Sequence, residues 1–119
     1  MTQKNQSVLV VGAGDAIGSA IVRKFAREGY TVVGVRRNGE KLDPLVQEMA
    51  GEGHTVHGWS CDARKEEAIE DLFKRVETEV APLEVVIFNV GANVPMPILE
   101  TSSRKFYKIW EMACLSGFL

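Results

Sequence analysis

Three glycines, Gly12, Gly14 and Gly18, separate a valine-rich run, Val8 to Val11, from a segment whose apolar residues recur at helical spacing. Glycines in that position suit the capture of a pyrophosphate. A side chain would hold the anion away from backbone N–H groups, and the N-terminus of the following helix adds about half a positive charge facing it. Gly12 is expected to make the turn, Gly14 to let the backbone approach the ligand and Gly18 to let the helix pack closely on the strand. The alternative is a strand-to-helix turn that uses glycine for steric reasons alone. Asp15 has two readings. As a helix N-cap it would accept from the N–H of Ile17 or Gly18; facing the ligand, it would repel phosphate.

The second valine-rich run ends Val35-Arg36-Arg37-Asn38. Where a dinucleotide lies along such a fold, an acidic residue at this point accepts from the ribose hydroxyls of NAD. Here two guanidiniums stand without a carboxylate, and arginine suits bidentate phosphate contacts. A 2′-phosphate is therefore expected, which favours NADP(H) over NAD(H). The alternative is a solvated basic loop.

Other chemistry-bearing residues are sparse. His54 and His57, three apart on one expected strand, would point to opposite faces and hold no shared metal. Cys61 and Cys114 match no metal or redox spacing and read as free thiols of a reducing compartment, with the cytoplasm as the expected location. Trp59 and Trp110 are expected to pack. Glu66, Glu67, Glu70 and Asp71 form a solvated helix face with Lys65, Lys74 and Arg75 as local partners.

The elements that must position these residues come in two alternating textures. Short runs at Val8–Val11, Tyr30–Val35, His54–Ser60 and Glu84–Val90 read as strands, their mostly continuous hydrophobicity suiting burial on both faces. Helical spacing appears in Ile17, Ala20, Ile21 and Phe25, with Gly29 at the left-handed end position. It recurs in Leu42, Leu45, Val46 and Met49, with Pro44 in the first turn and Gly51 beyond the end. A third stripe, Ile69, Leu72, Phe73, Val76 and Val80, stops before Pro82, and a fourth holds Phe106, Ile109, Trp110 and Ala113. The alternation implies an α/β fold: a Rossmann-like doubly wound parallel sheet, partial, with about four strands and helices on both faces.

Length and composition agree. The chain has 119 residues, 45% hydrophobic and 25% charged, which fits one domain with a real core spanning 1–119. A net charge of −2 leaves no basic excess for nucleic acid or an anionic lipid surface. No stretch approaches the roughly 18 apolar residues of a membrane span, and no secretion signal is visible.

These residues resemble the N-terminal half of the short-chain dehydrogenase/reductase family. Its glycine motif, Thr-Gly-x-x-x-Gly-x-Gly, is matched at Gly12 and Gly18, with Val11 and Ala16 replacing the Thr and the middle Gly. The resemblance implies that the turn from Gly12 through Gly14, Asp15, Ala16 and Ile17 to Gly18 faces the cofactor. Cys61-Asp62-Ala63 is similar to the family's Asp-centred element, which implies that Asp62 contacts adenine; an N-cap role for the next helix is the other reading. Asn89, Gly91 and Ala92 stand where the family has Asn-Asn-Ala-Gly and would lie beside the cofactor ribose. Arg37 matches NADP-preferring members, and Arg36 falls where NAD-preferring members carry Asp. Asp15 departs from the pattern, since many NADP-preferring members are basic there.

Family members transfer hydride between nicotinamide and a carbonyl or alcohol, using a Tyr with a Lys four residues later. A phenol near pKa 10 needs such a cation to work near neutrality. Here Tyr30 is followed by Gly34 and Tyr107 by Glu111, and Cys114 stands at the usual Asn position of the fourth helix. No catalytic residue is therefore assigned. The expectation is a cofactor-binding segment lacking the C-terminal catalytic part, with a small carbonyl or alcohol substrate belonging to a longer chain. The alternative is a catalytically inactive truncated form or interaction protein that keeps the fold. An unpaired Val85–Phe88 edge and the apolar fourth helix further imply self-association.

Overall fold

The computed structural model describes residues 4–91 and 95–119, so Ala92 lies outside the described residues. The valine-rich runs form four strands, β1 (Ser7–Val11), β2 (Thr31–Arg36), β3 (Val56–Ser60) and β4 (Leu83–Phe88). All pair in parallel, in the order β3-β2-β1-β4. Successive strands thus run outward from β1 to β3, and the chain then returns to the other side of β1. That reversal opens a crevice at the carboxyl ends of β1 and β4, where open α/β sheets bind ligands.

The two-residue strand period splits the core into two layers. Val8, Val10 and Val32 pack with Val22 and Ala26 of α1 (Ile17–Arg27) and Leu45 and Met49 of α2 (Asp43–Gly51). Leu9, Val11, Val33 and Val35 face Ile69 and Leu72 of α3 (Glu66–Arg75) on the other side. Helices therefore cover both faces, as expected. Pro44 lies in the first turn of α2, and Gly29 follows α1 with φ 100°.

Several local expectations shift. The face of α1 against the sheet is made by Gly18, Ser19, Val22 and Ala26; Ile21 and Phe25 are half-buried, while Ala20 is exposed and Ile17 is 67% exposed. Small residues win the contact because they let the helix approach more closely than Ile17 could. Gly53, with φ 84°, takes the left-handed position after α2, and Gly51 is that helix's last residue. His54 precedes β3, and Asn89 and Val90 follow β4. Arg75 pairs with Glu79 one turn on, at 2.6 Å, in place of the acidic residues earlier in α3.

β4 departs from two-sided burial. Val85 and Ile87 are half-buried against the α1 layer and Leu83 packs against the α3 layer, but Val86 is 45% and Phe88 39% exposed. Beyond it, α4 (Ser103–Trp110) starts at Ser102, whose side chain accepts from Lys105 N–H, and continues as a π-helical turn, Glu111–Leu115. Phe106 and Trp110 are exposed, so of the two tryptophans only Trp59 packs.

Candidate functional site

A cleft of about 600 Å³ opens at the carboxyl ends of all four strands, within the roughly 300–1,000 Å³ of small-molecule sites. Each strand contributes residues at or just past its end: Gly12 and Gly14 after β1, Arg36 at the end of β2 with Arg37 and Asn38 after it, Cys61, Asp62 and Arg64 after β3, and Asn89 and Gly91 after β4. Met112, from the π-helical turn after α4, closes one side.

The glycine turn is locked from beneath. Gly12 has φ 90°, and a Cβ there would lie 2.3 Å from the Asn89 carbonyl oxygen. Gly12 and Ala13 N–H both donate to Val35 O at 3.0 Å, and Ser19 Oγ donates to Gly14 O. Asn89 ties the turn to β4: its N–H donates to Val11 O at 2.8 Å and its Nδ2 to Gly12 O at 3.2 Å. Gly18 supports the turn through contact, since a Cβ on it would sit 2.4 Å from Gly12 O.

Gly14 differs from both. A Cβ there would meet no atom within 4 Å, and its φ lies outside the positive region. Nothing in the protein itself demands glycine at that point, and the open side is the cleft. Next to it, the first N–H groups of α1 precede the first intrahelical bond and carry the positive end of the helix dipole. The turn therefore fits a diphosphate.

Both cap expectations for the aspartates are overturned. The N-cap of α1 is Ala16, without a side-chain cap bond, and Asp15 instead accepts from Arg36 Nη1 at 3.0 Å. The N-cap of α3 is Lys65, and Asp62 accepts from Arg64 N–H, Nε and Nη2 at 3.1, 3.0 and 2.9 Å. A guanidinium outcompetes a single helix amide because it offers paired, charged donors. The Arg64 guanidinium holds the Asp62 carboxyl down at about 2. Burial, with the Asp62 charge beside it, pushes the neighbouring Cys61 thiol up, which keeps it a thiol near neutrality.

Of the sequence-predicted residues, Gly12, Gly14, Arg36, Arg37, Asp62, Asn89 and Gly91 line this cleft. Asp15 reaches it through Arg36. Ala16 and Ile17 are exposed outside the lining, and Gly18 lies beneath the turn. Arg64, Lys41 and Met112 line the cleft without having been anticipated. Lys41 had a signal: Asn38-Gly39 after the strand marks a turn, which brings the next residues back toward the strand end. Tyr30 lies before β2, at the opposite end of the sheet, and the Glu84 carboxylate pushes its hydroxyl up, the reverse of what acid–base catalysis needs. Among the described residues, no group of three or more His, Cys, Asp and Glu could hold a metal, and no helix is long and apolar enough to cross a membrane.

Parallel strands wound outward from a central β1, with a glycine turn at the reversal, define a Rossmann-like nucleotide-binding fold. Residues 6–119 match the family model for short chain dehydrogenases, and the chain belongs to that family, whose members bind a nicotinamide dinucleotide. A short-chain dehydrogenase from Rhodopseudomonas palustris superposes with a TM-score of 0.93 at 54% identity, over 97% of this chain and 54% of that one. An actinorhodin polyketide ketoreductase solved with NADPH superposes at 0.89 with 27% identity, over 96% and 44%. A tropinone reductase homologue of Arabidopsis thaliana is 32% identical over 95% of this chain and 43% of its own length. The chain thus spans less than half the length of the curated relatives it matches first.

Proposed function

We propose that this chain is the NADP(H)-binding portion, one domain over 1–119, of an oxidoreductase that moves hydride between nicotinamide and a small carbonyl or alcohol substrate. The observation that carries the cofactor choice is the end of β2, where Arg36 and Arg37 line the cleft and no carboxylate of that strand accompanies them. In this reading the amides of the Gly12–Gly18 turn, including those of Asp15, Ala16 and Ile17, receive the diphosphate. Asp62 and Arg64 flank the adenine side. Asn89 and Gly91 border the cofactor ribose, and Asn89 also holds the turn in place through Gly12 O. The bound nicotinamide would supply the hydride donor or acceptor.

The structure also supports dividing the arginines. Asp15 draws Arg36 toward the glycine turn, which leaves Arg37, exposed and without an ion pair among the described residues, to meet a 2′-phosphate. The test is calorimetric titration of Arg37→Asp with NADPH and NADH. NADPH binding is expected to weaken by about tenfold or more, the loss of a charge-assisted contact, while NADH gains relative to it. Equal effects on both carriers would overturn the assignment.

A second reading is a chain that binds cofactor or a partner chain without turnover of its own. The exposed Val86 and Phe88 of β4, together with Phe106 and Trp110, support self-association through that apolar surface. Free thiols at Cys61 and Cys114 support a reducing compartment such as the cytoplasm.

A further inference from the structure

Among the described residues, two sulfur-bearing side chains reach the cleft, Cys61 and Met112. Their chemistry differs. A thiol meets oxidants as its thiolate, and at half-buried Cys61 burial first and the Asp62 charge second push the thiol up. Near neutrality it stays protonated and slow to react. A thioether has no proton to lose, so its lone pairs are available at any pH and access to the oxidant decides its fate. Met112 is half-buried in the wall of the cleft. Met49, by contrast, is enclosed in the core at 0% exposure, and the sulfur of Met96, which accepts from Lys105 Nζ at 3.9 Å, stands outside the cleft lining.

The backbone that carries Met112 is fixed. The residue lies on the π-helical turn Glu111–Leu115, a widened turn of the kind that recurs at functional sites. Its carbonyl oxygen accepts from the hydroxyl of Ser116, which is buried at 4% exposure. Gly117 then seats the chain on β4, since a Cβ there would lie 3.0 Å from the Phe88 ring. An anchored turn thus presents a flexible thioether to the cleft, where it joins Val11, Val35, Ala63 and Val90 in the apolar part of the lining.

We propose that Met112 is an oxidative modification site, which takes one oxygen atom from a peroxide and thereby loosens the hold of the cleft on its nucleotide. The proposal rests on the nucleotide-binding reading above and adds to it how that binding is regulated. The sulfur lone pair attacks one peroxide oxygen and the O–O bond breaks. Sulfur is oxidised by two electrons to the sulfoxide, and hydrogen peroxide leaves as water. The product replaces an apolar, adaptable side chain by a polar one. Its oxygen asks for a hydrogen-bond donor, so covering that wall with a bound nucleotide now costs free energy where it previously gained some.

The test exposes the full chain and its Met112→Leu and Met96→Leu variants to hydrogen peroxide. Peptide mass spectrometry locates the added oxygen, and calorimetry with NADPH compares each protein with its own untreated sample. Met112 is expected to gain one oxygen ahead of Met49 and Cys61, and NADPH binding by the parent to weaken about fivefold, the loss of one apolar contact. Methionine sulfoxide reductases acting on both sulfoxide epimers should restore it. Met96→Leu should weaken as the parent does, while Met112→Leu keeps its own untreated affinity through the same exposure. If peroxide leaves Met112 unmodified, or modifies it without changing affinity, the proposal falls and the nucleotide-binding reading stands. If Met112→Leu weakens as much as the parent, another oxidised group is responsible and Met112 is excluded. If the untreated parent binds no NADPH, both fall.

Discussion

Gly18 and Gly14 lie four residues apart in one turn, yet replacing each by alanine should move stability in opposite directions. At Gly18 the new Cβ would press on backbone, 2.4 Å from Gly12 O and 2.7 Å from Ala13 Cα. Restoring ordinary contact requires α1 to retreat by about 1 Å. Overpacking of that kind costs about 1–3 kcal/mol, offset by up to about 1 kcal/mol because alanine is the better helix former. The net loss of about 1–2 kcal/mol should lower Tm by roughly 4–8 °C in a chain of this size. At Gly14 the Cβ meets nothing within 4 Å and the backbone is not left-handed. Alanine there only restricts the unfolded chain, a gain of about 0.4–1 kcal/mol. The same methyl would stand between the turn amides and a diphosphate, and losing one charge-assisted contact weakens nucleotide binding about tenfold or more. Circular-dichroism melts read the first effect and calorimetry with NADPH the second. A Gly14→Ala variant that binds as tightly as the parent would refute the close approach of backbone to ligand, and a Gly18→Ala variant with unchanged Tm would refute the packing account.

Two further outcomes follow from the same geometry. Asp62 is held at about 2 in the folded chain, against an ordinary 3.8, by the Arg64 guanidinium; a depressed value means that the pair's contribution is whole above about pH 4 and lost as pH falls toward 2. Urea melts of the parent and Asp62→Asn should therefore differ by about 1 kcal/mol at neutral pH and converge near pH 2, and a gap that stays constant down to pH 2 would contradict the pairing. Val86, 45% exposed on the outermost strand, is where a charge should block edge association. Sedimentation should show the parent associating at micromolar concentration and Val86→Lys shifted toward monomer; a parent that stays monomeric with a sharp cooperative melt would remove the self-association proposal.

The structure separates two uses of acidic residues that look alike in one dimension. Asp15 and Asp62 each stand just before a helix, where an isolated carboxylate caps the first amides. In the folded chain each meets a guanidinium instead, Arg36 from a strand 21 residues away and Arg64 two residues on. Sequence spacing carries the helix start but not the competitor. The turn signal at Asn38-Gly39 is local, but the place of Lys41 at the cleft also depends on Gly39 closing against Ser60 of a different strand.

Periodicity and turn chemistry, which are local, determined the order of strands and helices, the glycine turn after β1, the cap glycine at 29 and the two arginines ending β2. These depend on a residue's neighbours along the chain, whose spacing fixes which face each side chain takes. Which face of α1 meets the sheet, how far β4 is covered and which cations remain unpaired were decided only by tertiary structure. Each of those is a contest settled by distance in space: small residues at Gly18 and Ala26 over Ile17, Val85 and Ile87 finding the α1 layer while Val86 and Phe88 stay exposed, and two carboxylates neutralising Arg36 and Arg64 while Arg37 and Lys41 keep their charge.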